Sequence, residues 1–544
     1  MVARVASWLL LLACGCERIL GIVPTETANG DAALDAPFGA PPTPTAATPY
    51  TGYYTGSVHA PDALRPTFTW VPVAGATHYE IELEACTSLN SSTFADATPT
   101  PVEGTTYQPA GPLTVAPGPP AGTRYCWRLR ACTDSVCSLW IATRYLNVGR
   151  LRDDVNGDGY SDLLIGTEMQ NALYEYLGGP SGVQPTANVV APPAGDTEYA
   201  VAIASGDFTG DGFGDAAIFA QTTNAPGVLV SAGAQGGLLA PGPSSTVITD
   251  SSAGNFGVGA FSPGDIDGDG FDDLVLVTPT SANVYLGTNG PMQPDHATIV
   301  PPPGTTFDTM NPVGAALGDV DGDGYPDFAV ALAPPSFMSG VGSIAIYYGP
   351  PAALRPPTII TAPSDATQFP VAIAGTDLDE DGFSDVVITS SNVGEQTLHA
   401  YLGSATGLIA AEAPLPMSLM FTTSSSLGRS LRGFASADGS HGLVLSDIES
   451  ADVYTKQVTT SDLNPSPTNA DSGFGSVLTS GDFNGDGLTD VVAAYQNQHP
   501  MGASDGCGEA FVFTAQGSGF IATGTPVFDT GCHANEGFAR SLDR

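Results

Sequence analysis

Basic residues are scarce in this chain. Its 544 residues contain 15 Lys and Arg against 56 Asp and Glu, which gives a formal net charge of −41, and Lys456 is the sole lysine. Proteins that bind nucleic acid draw much of their affinity from cationic contacts with phosphates. No nucleic-acid partner is therefore expected.

Long apolar runs are missing as well, apart from a short one at the N-terminus. Residues 5–13 are largely apolar and follow Arg4, which is the layout of an export signal and too short to span a bilayer. The run ends in Leu-Leu-Ala-Cys, which resembles a bacterial lipobox, so residues 1–13 are expected to be a lipoprotein signal peptide and Cys14 the acylated residue. Cys16 is a weaker second candidate, and an ordinary signal peptide with incidental cysteines is the alternative.

The signal sets the expected location. An exported lipoprotein would sit in the bacterial outer membrane, periplasmic or surface-exposed, with the lipid as its membrane contact. Residues 14–50 are rich in Pro, Ala and Thr without periodicity, which predicts a disordered tether.

Catalytic motifs are absent too. The seven histidines form no His-x-x-x-His pair, and neither a phosphate loop nor a dinucleotide fingerprint occurs. One Gly-x-Ser-x-Gly string, at residues 502–506, lies in a polar loop without the strand-turn-helix context of a nucleophile elbow. The sequence therefore predicts that the chain is not an enzyme.

Two alternating segments indicate a small β domain over residues 51–148. In one, Tyr79, Ile81, Leu83 and Ala85 fall on one face of a strand, and a second run, residues 125–132, alternates in the same way. An early Trp, a Gly-Ala-x-x-Tyr-x-Ile strand and a late Tyr-x-Trp-Arg-Leu-Arg-Ala strand resemble a fibronectin type III module. The resemblance implies a β-sandwich of about 95 residues.

Six cysteines remain after the signal, and an even number in an exported chain favours three disulfides. In a fibronectin-like sandwich the two alternating strands are antiparallel neighbours, which implies a bridge between Cys86 and Cys126. Cys132 and Cys137 flank a hairpin turn that a disulfide can span. The expected pairs are Cys86–Cys126, Cys132–Cys137 and Cys507–Cys532.

An acidic nine-residue motif recurs through the rest of the chain, residues 149–544. Successive starts are 53, 58, 54, 58 and 105 residues apart, and the doubled last interval contains a degenerate copy at residues 434–445 with a shortened loop. Seven repeats of about 56 residues match the size of four-stranded propeller blades. The prediction is an all-β chain, with a seven-bladed β-propeller preceded by the small β-sandwich. The six intact motifs, loops 1 to 5 and 7, are residues 154–162, 207–215, 265–273, 319–327, 377–385 and 482–490.

The surroundings of the motif resemble a known family. Phe-Gly or a relic of it precedes several loops, an apolar strand follows, and the next strand usually ends in Gly. This pattern is similar to the FG-GAP repeats of integrin alpha chains and of bacterial surface proteins. The resemblance implies a cell-surface binding or adhesion scaffold whose ligand is a protein or glycan, with the oligomeric state left open. Residues 537–542 resemble the strand that the first repeat lacks and are expected to close the ring.

The loops have the composition of calcium sites. Calcium takes six to eight oxygens, and positions 1, 3, 5 and 9 of the motif hold 21 Asp, two Asn and one Thr. Gly at position 6 permits a sharp bend, and position 7 supplies a backbone carbonyl. Position 12 is a strand residue instead of Glu, which rejects an EF-hand. An Asp-Gly turn is the alternative for one copy, but six copies favour metal.

One Ca²⁺ per intact loop, about six per chain, is expected. The expected ligands are Asp154, Asn156, Asp158, Tyr160, Asp162, Asp207, Thr209, Asp211, Phe213, Asp215, Asp265, Asp267, Asp269, Phe271, Asp273, Asp319, Asp321, Asp323, Tyr325, Asp327, Asp377, Asp379, Asp381, Phe383, Asp385, Asp482, Asn484, Asp486, Leu488 and Asp490.

One alternative function stays open at this point. A propeller can assemble a catalytic site in its central channel from residues of several blades, so a surface carbohydrate-active enzyme, a hydrolase or lyase, is the second hypothesis. Apposed acid, Tyr and Arg side chains in the channel would favour the enzyme, whereas a smooth or Ser/Thr/Asn-lined face would favour the scaffold.

Overall fold

The described part of the chain is built from strands. Every regular element in it is a β-strand, and no helix there is long and apolar enough to cross a membrane. Cys14, Cys16, Cys507 and Cys532, and with them the signal peptide and one expected disulfide, lie outside it. The computed structural model describes residues 39–86, 94, 98–167, 171–221, 226–241, 246–249, 259–293, 296–309, 314–334, 341–350, 355–392, 395–410, 412, 430–435, 441–446, 451–455, 461–463, 477–495, 509–516, 519–520, 525–527 and 541–542.

Two sheets form the N-terminal module, which we define as residues 46–152. Its larger sheet has the order β1-β7-β6-β3-β4, and β2 pairs with β5. Alternation places Tyr79 and Ile81 of β3, and Trp127 and Leu129 of β6, in the buried core between them. The strands are β1 Tyr53–Tyr54, β2 Phe68–Thr69, β3 His78–Ala85, β4 Thr100–Val102, β5 Thr106–Tyr107, β6 Thr123–Cys132 and β7 Arg144–Val148.

Both disulfides expected in this module are present. Strands β3 and β6 are antiparallel with Glu84 opposite Cys126, and the Cys86–Cys126 bridge joins Cα atoms 5.6 Å apart. Cys132 and Cys137 pair across their turn, with Cα atoms 3.9 Å apart. The register of the two strands therefore agrees with the one the sequence implied.

The N-terminal module includes residues that the sequence assigned to the tether. The tether was expected to reach residue 50, but Ala46 and Ala47 are 4% and 1% exposed, and Thr48 exchanges two backbone hydrogen bonds with Thr69. Residues 46–50 therefore belong to the module. Their small Ala side chains show no periodicity, which is why the sequence indicated a linker. The same small side chains fit into the buried interior of the module.

Beyond the module, the described strands form seven antiparallel sheets of three or four strands, besides one two-stranded sheet of β33 with β34. Apolar strands follow each acidic loop because they are covered on both faces by neighbouring sheets, and they are almost wholly buried. The strands of the first four sheets are β8 Leu163–Thr167, β9 Ala172–Tyr176, β10 Asn188–Val190; β11 Ile203–Gly206, β12 Asp215–Gln221, β13 Pro226–Ser231, β14 Thr246–Thr249; β15 Ala260–Gly264, β16 Asp273–Thr278, β17 Ser281–Tyr285, β18 His296–Ile299; β19 Gly314–Gly318, β20 Asp327–Leu332, β21 Ser343–Tyr347 and β22 Thr358–Thr361.

The remaining sheets continue the same up-and-down order. The sixth contains the degenerate repeat, whose shortened loop lies outside the described residues. The strands are β23 Gln368–Thr376, β24 Asp385–Asn392, β25 Glu395–Tyr401; β26 Leu431–Ala435, β27 His441–Ser446, β28 Ala451–Thr455, β29 Ser461–Leu463; β30 Val477–Gly481, β31 Asp490–Tyr495, β32 Glu509–Phe513, β33 Ala515–Gln516, β34 Gly519–Phe520, β35 Thr525–Val527; and β36 Ser541–Leu542.

The C-terminal strand joins the first sheet to the last. Strand β36 pairs antiparallel with β8, with Leu542 opposite Ile165, and so supplies the strand that the first repeat lacks. First strands of successive sheets contact one another from β11 to β30 and then β36. The seventh sheet packs on the first through one apolar cluster that contains Ile165 and Val492. The arrangement is propeller-like, and the expected pairing of the C-terminus is confirmed for residues 541–542; the blade count of seven stays a prediction.

Candidate metal centres

The aspartate at position 1 accepts a backbone hydrogen bond within each intact loop. One of its carboxylate oxygens accepts the backbone N–H of the glycine at position 6, over 2.7–3.1 Å in all six loops. This glycine has a φ between 87° and 103°, a conformation that side-chain-bearing residues rarely adopt. The Gly in the motif therefore permits a bend that folds the other oxygen ligands back around the first carboxylate.

Position 9 aspartate ties each loop to the following hairpin. Its Oδ2 accepts an N–H from position 2 or 3 of the same loop, and its Oδ1 accepts an N–H from the end of the next strand, at 2.8–2.9 Å. These aspartates are at most 2% exposed. Each oxygen has two lone pairs, so the carboxylate can accept both hydrogen bonds and also bind a cation. The sequence did not predict that the position 9 aspartate connects the loop to the hairpin.

The hydrogen bonds to the position 9 aspartate also explain the Gly that follows the second strand after loops 1 to 5. Gly178, Gly233, Gly287, Gly349 and Gly403 donate to the position 9 aspartates. An added Cβ at Gly349 would lie 2.8 Å from the Pro326 carbonyl oxygen, and the other four would be closer still to their neighbours. The Gly that the sequence showed as a pattern is a steric requirement of the loop.

Two oxygens in loop 2 fit a cation. Asp207 Oδ1 and Thr209 Oγ1 are buried and have no hydrogen-bond partner among the described residues, and Asp319 Oδ1 of loop 4 is in the same situation. A buried carboxylate oxygen without a donor costs free energy unless a cation balances it. The donor set, which is all oxygen, suits a hard dication such as Ca²⁺.

Carboxylates converge in loops 3, 4 and 5. Three clusters place one oxygen of each member within 4.8 Å of the others: Asp265 with Asp267 and Asp269, Asp319 with Asp321 and Asp327, and Asp377 with Asp379 and Asp385. Such proximity is unfavourable for ionised groups without a counter-charge, which in loop 4 is supplied in part by the ion pair of Arg355 with Asp321 Oδ2.

Burial makes these groups hard to ionise on their own. Burial, followed by the charge of Asp272, raises the pKa of Asp207 to about 7. Burial and the neighbouring Asp267 raise the pKa of Asp269 to about 8. Burial likewise raises the pKa of Asp319 to about 7 and that of Asp482 to about 6. A bound dication would supply the charge that favours the ionised form, so the residues present fit a metal.

Aromatic rings link each loop to its neighbour. The ring at position 7 of one loop lies on the glycine at position 4 of the preceding loop, and these glycines have φ between 70° and 76°. A Cβ on them would lie 2.5–2.7 Å from a ring carbon in four cases and closer at Gly210. The pairs are Phe213 on Gly157, Phe271 on Gly210, Tyr325 on Gly268, Phe383 on Gly322 and Tyr160 on Gly485.

Backbone hydrogen bonds reinforce that link. The N–H at position 8 donates to the position 1 carbonyl of the preceding loop, as Gly214 does to Asp154 over 2.7 Å and Asp272 does to Asp207 over 3.0 Å. Ser161 donates in the same way to Asp482, which connects loop 7 to loop 1. Loop 4 has Pro326 at this position and so lacks the donor. The loops thus form one arc in the order 7, 1, 2, 3, 4, 5.

The N-terminal module covers part of this arc. Ser57 Oγ donates to the Gly159 carbonyl over 2.6 Å, and Arg124 Nη2 donates to the Gly270 carbonyl over 2.6 Å. The Thr51 N–H donates to the Gly324 carbonyl over 2.7 Å. All three acceptors are the position 6 glycine. Nothing in the sequence analysis placed the module on the loops, because contacts between domains leave no periodic signal.

The cavity at the centre of the propeller contains little that could do acid–base chemistry. It has a volume of about 220 Å³ and is lined mostly by backbone and small or apolar side chains of β15, β19, β23 and β26. Arg152, Arg432 and Ser262 also line it, but none of its described lining residues is Asp, Glu or His. This lining lacks the pairing of acid and base groups that glycoside cleavage uses.

A hydrogen-bonded Ser–His–Glu chain was missed by the sequence analysis. Ser390 Oγ lies 2.8 Å from His399 Nε2, and His399 Nδ1 lies 2.8 Å from Glu412 Oε1. Ser390 and His399 are 3% and 5% exposed, so substrate has no route to the hydroxyl in this conformation. The arrangement gives both ring nitrogens of a buried histidine a hydrogen-bond partner.

Comparison with known proteins identifies the repeats. The FG-GAP-like repeat model matches residues 154–218 and 265–330, and the FG-GAP repeat model matches residues 474–506. These segments contain loops 1 to 4 and loop 7, so the resemblance to FG-GAP repeats is confirmed there. No curated protein matches the chain.

Two solved structures are distantly similar. A quinonprotein alcohol dehydrogenase-like protein from Bacteroides thetaiotaomicron aligns over 88% of this chain and 94% of its own, at 8% identity and a TM-score of 0.39. The chicken CNTN1 FN1-FN3 domains align over 68% of this chain and 95% of their own, at 11% identity and a TM-score of 0.14. The strands of the described residues and the repeat matches, independently of these two structures, define an all-β protein with FG-GAP repeats in a propeller-like arrangement.

Proposed function

We propose that the chain is a calcium-stabilised, lipid-anchored scaffold that binds a protein or glycan at the bacterial cell surface and has no catalytic activity. FG-GAP repeats are consistent with a binding or adhesion scaffold. The observation that carries the calcium part is the pair of buried, unpartnered oxygens in loop 2, Asp207 Oδ1 and Thr209 Oγ1, at the positions where a calcium loop needs ligands.

Calcium would be held by oxygens of positions 1, 3, 5 and 9 and the position 7 carbonyl. The bound ion would supply positive charge that offsets carboxylate repulsion and fixes the loop. The chain's own residues then do the rest. Position 6 glycine bends the loop, and position 9 aspartate connects it to the next hairpin.

The lining of the central cavity and the net charge of the chain support a binding role. A central cavity lined by backbone and small residues, and by Arg152, offers no set of acid and base groups for hydrolysis. Six ions would reduce the formal charge from −41 to −29, which leaves a strongly acidic, self-repelling surface. One described feature favours the carbohydrate-active alternative: Asp272 Oδ2 accepts from Tyr54 Oη and from Arg152 Nε, each over 3.1 Å, and Arg152 lines the cavity.

Ligand binding is tested on glycan and protein arrays with and without calcium. Calcium-dependent binding without conversion of the ligand is expected. Cleavage of an arrayed glycan, with product released, would overturn the scaffold proposal.

The anchor is tested separately in cells. Cys14→Ser should move the protein from the membrane fraction to the soluble fraction, and Cys16→Ser, two residues away, is the matched control that should leave it in the membrane fraction. Retention of the Cys14→Ser protein in the membrane would reject Cys14 as the acylated residue.

A further inference from the structure

The N-terminal module binds the backbone of the loops, and the contact repeats from loop to loop. Besides the three position 6 carbonyls, His59 Nε2 lies 2.9 Å from the Asp158 carbonyl and Arg144 Nη2 donates to the Asp323 carbonyl over 2.9 Å. Both of these acceptors are position 5. Loops 1 and 4 are therefore recognised at the same two carbonyls, and loop 3 at one of them.

The position 6 glycines also leave room for the module. A Cβ on Gly270 would lie 2.6 Å from Arg124 Nη1, and a Cβ on Gly159 would lie 2.5 Å from Val58 Cγ1. At Gly324 the Arg144 guanidinium is closer still. A close approach of this kind is specific for the bent form of the loop.

We propose that docking of the N-terminal module and calcium loading of loops 1, 3 and 4 are one linked equilibrium, so that each favours the other. The proposal rests on the proposed calcium sites. Position 6 stands between two ligand positions, the carboxylate of position 5 and the carbonyl of position 7. A bound ion would hold positions 5 and 7 in place. It would therefore also fix the direction of the position 6 carbonyl, to which the module donates.

Electrostatics alone opposes this linkage. Loop 3 holds five Asp and loop 4 holds four, so one Ca²⁺ changes the loop charge from −5 to −3 or from −4 to −2, and Arg124 and Arg144 are attracted in both states but less strongly in the loaded one. These arginines donate to backbone carbonyls and leave the carboxylates to the cation. A positive linkage therefore requires that the fixed geometry of the loaded loop outweighs this loss of attraction.

Tyr145 adds a contact at a ligand residue. Its hydroxyl donates to Asp265 Oδ2, the same oxygen that accepts the Gly270 N–H, while Asp265 Oδ1 faces positions 4 and 5. The module thus holds the position 1 carboxylate of loop 3 by its outer oxygen. Linkage requires that what favours one event favours the other by the same factor.

Two backbone amides report docking directly. The Thr51 N–H donates to Gly324 and the Ala121 N–H donates to Gly157 over 2.9 Å, whereas amides between β3 and β6 bond only within the module. Hydrogen exchange of the full chain, with and without calcium, should show faster exchange at 51 and 121 without calcium and unchanged exchange in β3 and β6. Calcium-independent exchange at 51 and 121 would contradict the linkage.

A pair of variants tests the reciprocal effect at saturating calcium, where the fold is intact. Arg124→Met should weaken calcium binding at one site about fivefold and raise exchange at 51 and 121. Arg128→Met, four residues along β6 and paired with Glu82, is the matched control and should change neither. Unchanged or tighter calcium binding in Arg124→Met would overturn the linkage. A wild-type protein that binds no calcium would instead overturn the proposed function.

Discussion

Loop 5 differs from loops 1 to 4 and 7 at one position. The five carry Gly at position 4, whereas loop 5 carries Glu380, with a φ of 59°. Loop 5 precedes the sixth repeat, which has no intact loop and so no position 7 ring to place on its neighbour. On the other side of that repeat, loop 7 has Leu488 at position 7 in place of an aromatic ring.

Position 4 of one loop and position 7 of the next loop therefore act as a pair. Gly at position 4 is required by the ring of the next loop and not by the metal, because loop 5 keeps all its carboxylates without it. Because the sixth repeat has no intact loop, position 4 of loop 5 need not be Gly and position 7 of loop 7 need not be aromatic.

Gly210→Ala should be the most damaging substitution. Its Cβ would collide with Phe271, and its φ of 70° disfavours a side chain, so the expected loss is about 2–3 kcal/mol of unfolding free energy. The matched change Glu380→Ala should stay within about 0.5 kcal/mol. Chemical denaturation in excess calcium measures both. Equal losses would show that position 4 is constrained by the loop alone.

Phe271→Ala should act on two loops at once. The ring is half-buried on Gly210, so its removal should cost about 2 kcal/mol and weaken calcium binding in loops 2 and 3. Leu488→Ala, the control at a position with no intact loop before it, should cost about 1 kcal/mol and affect loop 7 alone. Calorimetric titration distinguishes them. Weakening confined to loop 3 in Phe271→Ala would refute the pairing.

These pairs mark the limit of what the sequence could predict. Strand alternation was predictable from a period of two, and the Cys132–Cys137 disulfide from the short turn between the two residues. The pairing of β3 with β6 and the Cys86–Cys126 disulfide, 40 residues apart, followed from the resemblance to a fibronectin type III module. The acidic loops were predictable from spacing. The ring of Phe271 on Gly210 was not, because 61 positions separate them and each residue had its own reading within its loop.

The same limit applies to the module. Arg124 and Arg130 stand on one strand and look alike in sequence, yet Arg124 donates to Gly270 of loop 3 while Arg130 pairs with Glu80. Domain docking is decided by three-dimensional shape, so the sequence assigned residues 46–50 to a tether and treated the module as separate from the propeller.

Acid pH should stabilise the metal-free protein, and Asp207 provides a test. Its folded pKa of about 7 is above the unfolded value of 3.8, so the protonated carboxyl contributes stability below pH 3.8 that is lost as the pH rises through about 7. Asp207→Asn removes that dependence. In chelator at pH 7.5 the variant should melt higher than the wild type, and in excess calcium it should melt lower. The same order in both buffers would contradict a metal role for Asp207.

The number of calcium ions is the most direct test of the account. Extracellular calcium modules typically bind at about 10⁻⁴–10⁻³ M, so 1 mM free calcium would contribute about 0.4–1.4 kcal/mol per site and about 2–8 kcal/mol over six independent sites. Calorimetric titration should give six ions per chain, Asp319→Ala should give five, and chelator should lower the melting temperature of the propeller. A stoichiometry near zero, with melting temperatures that the chelator does not change, would show that the loops are Asp-Gly turns that bind no metal.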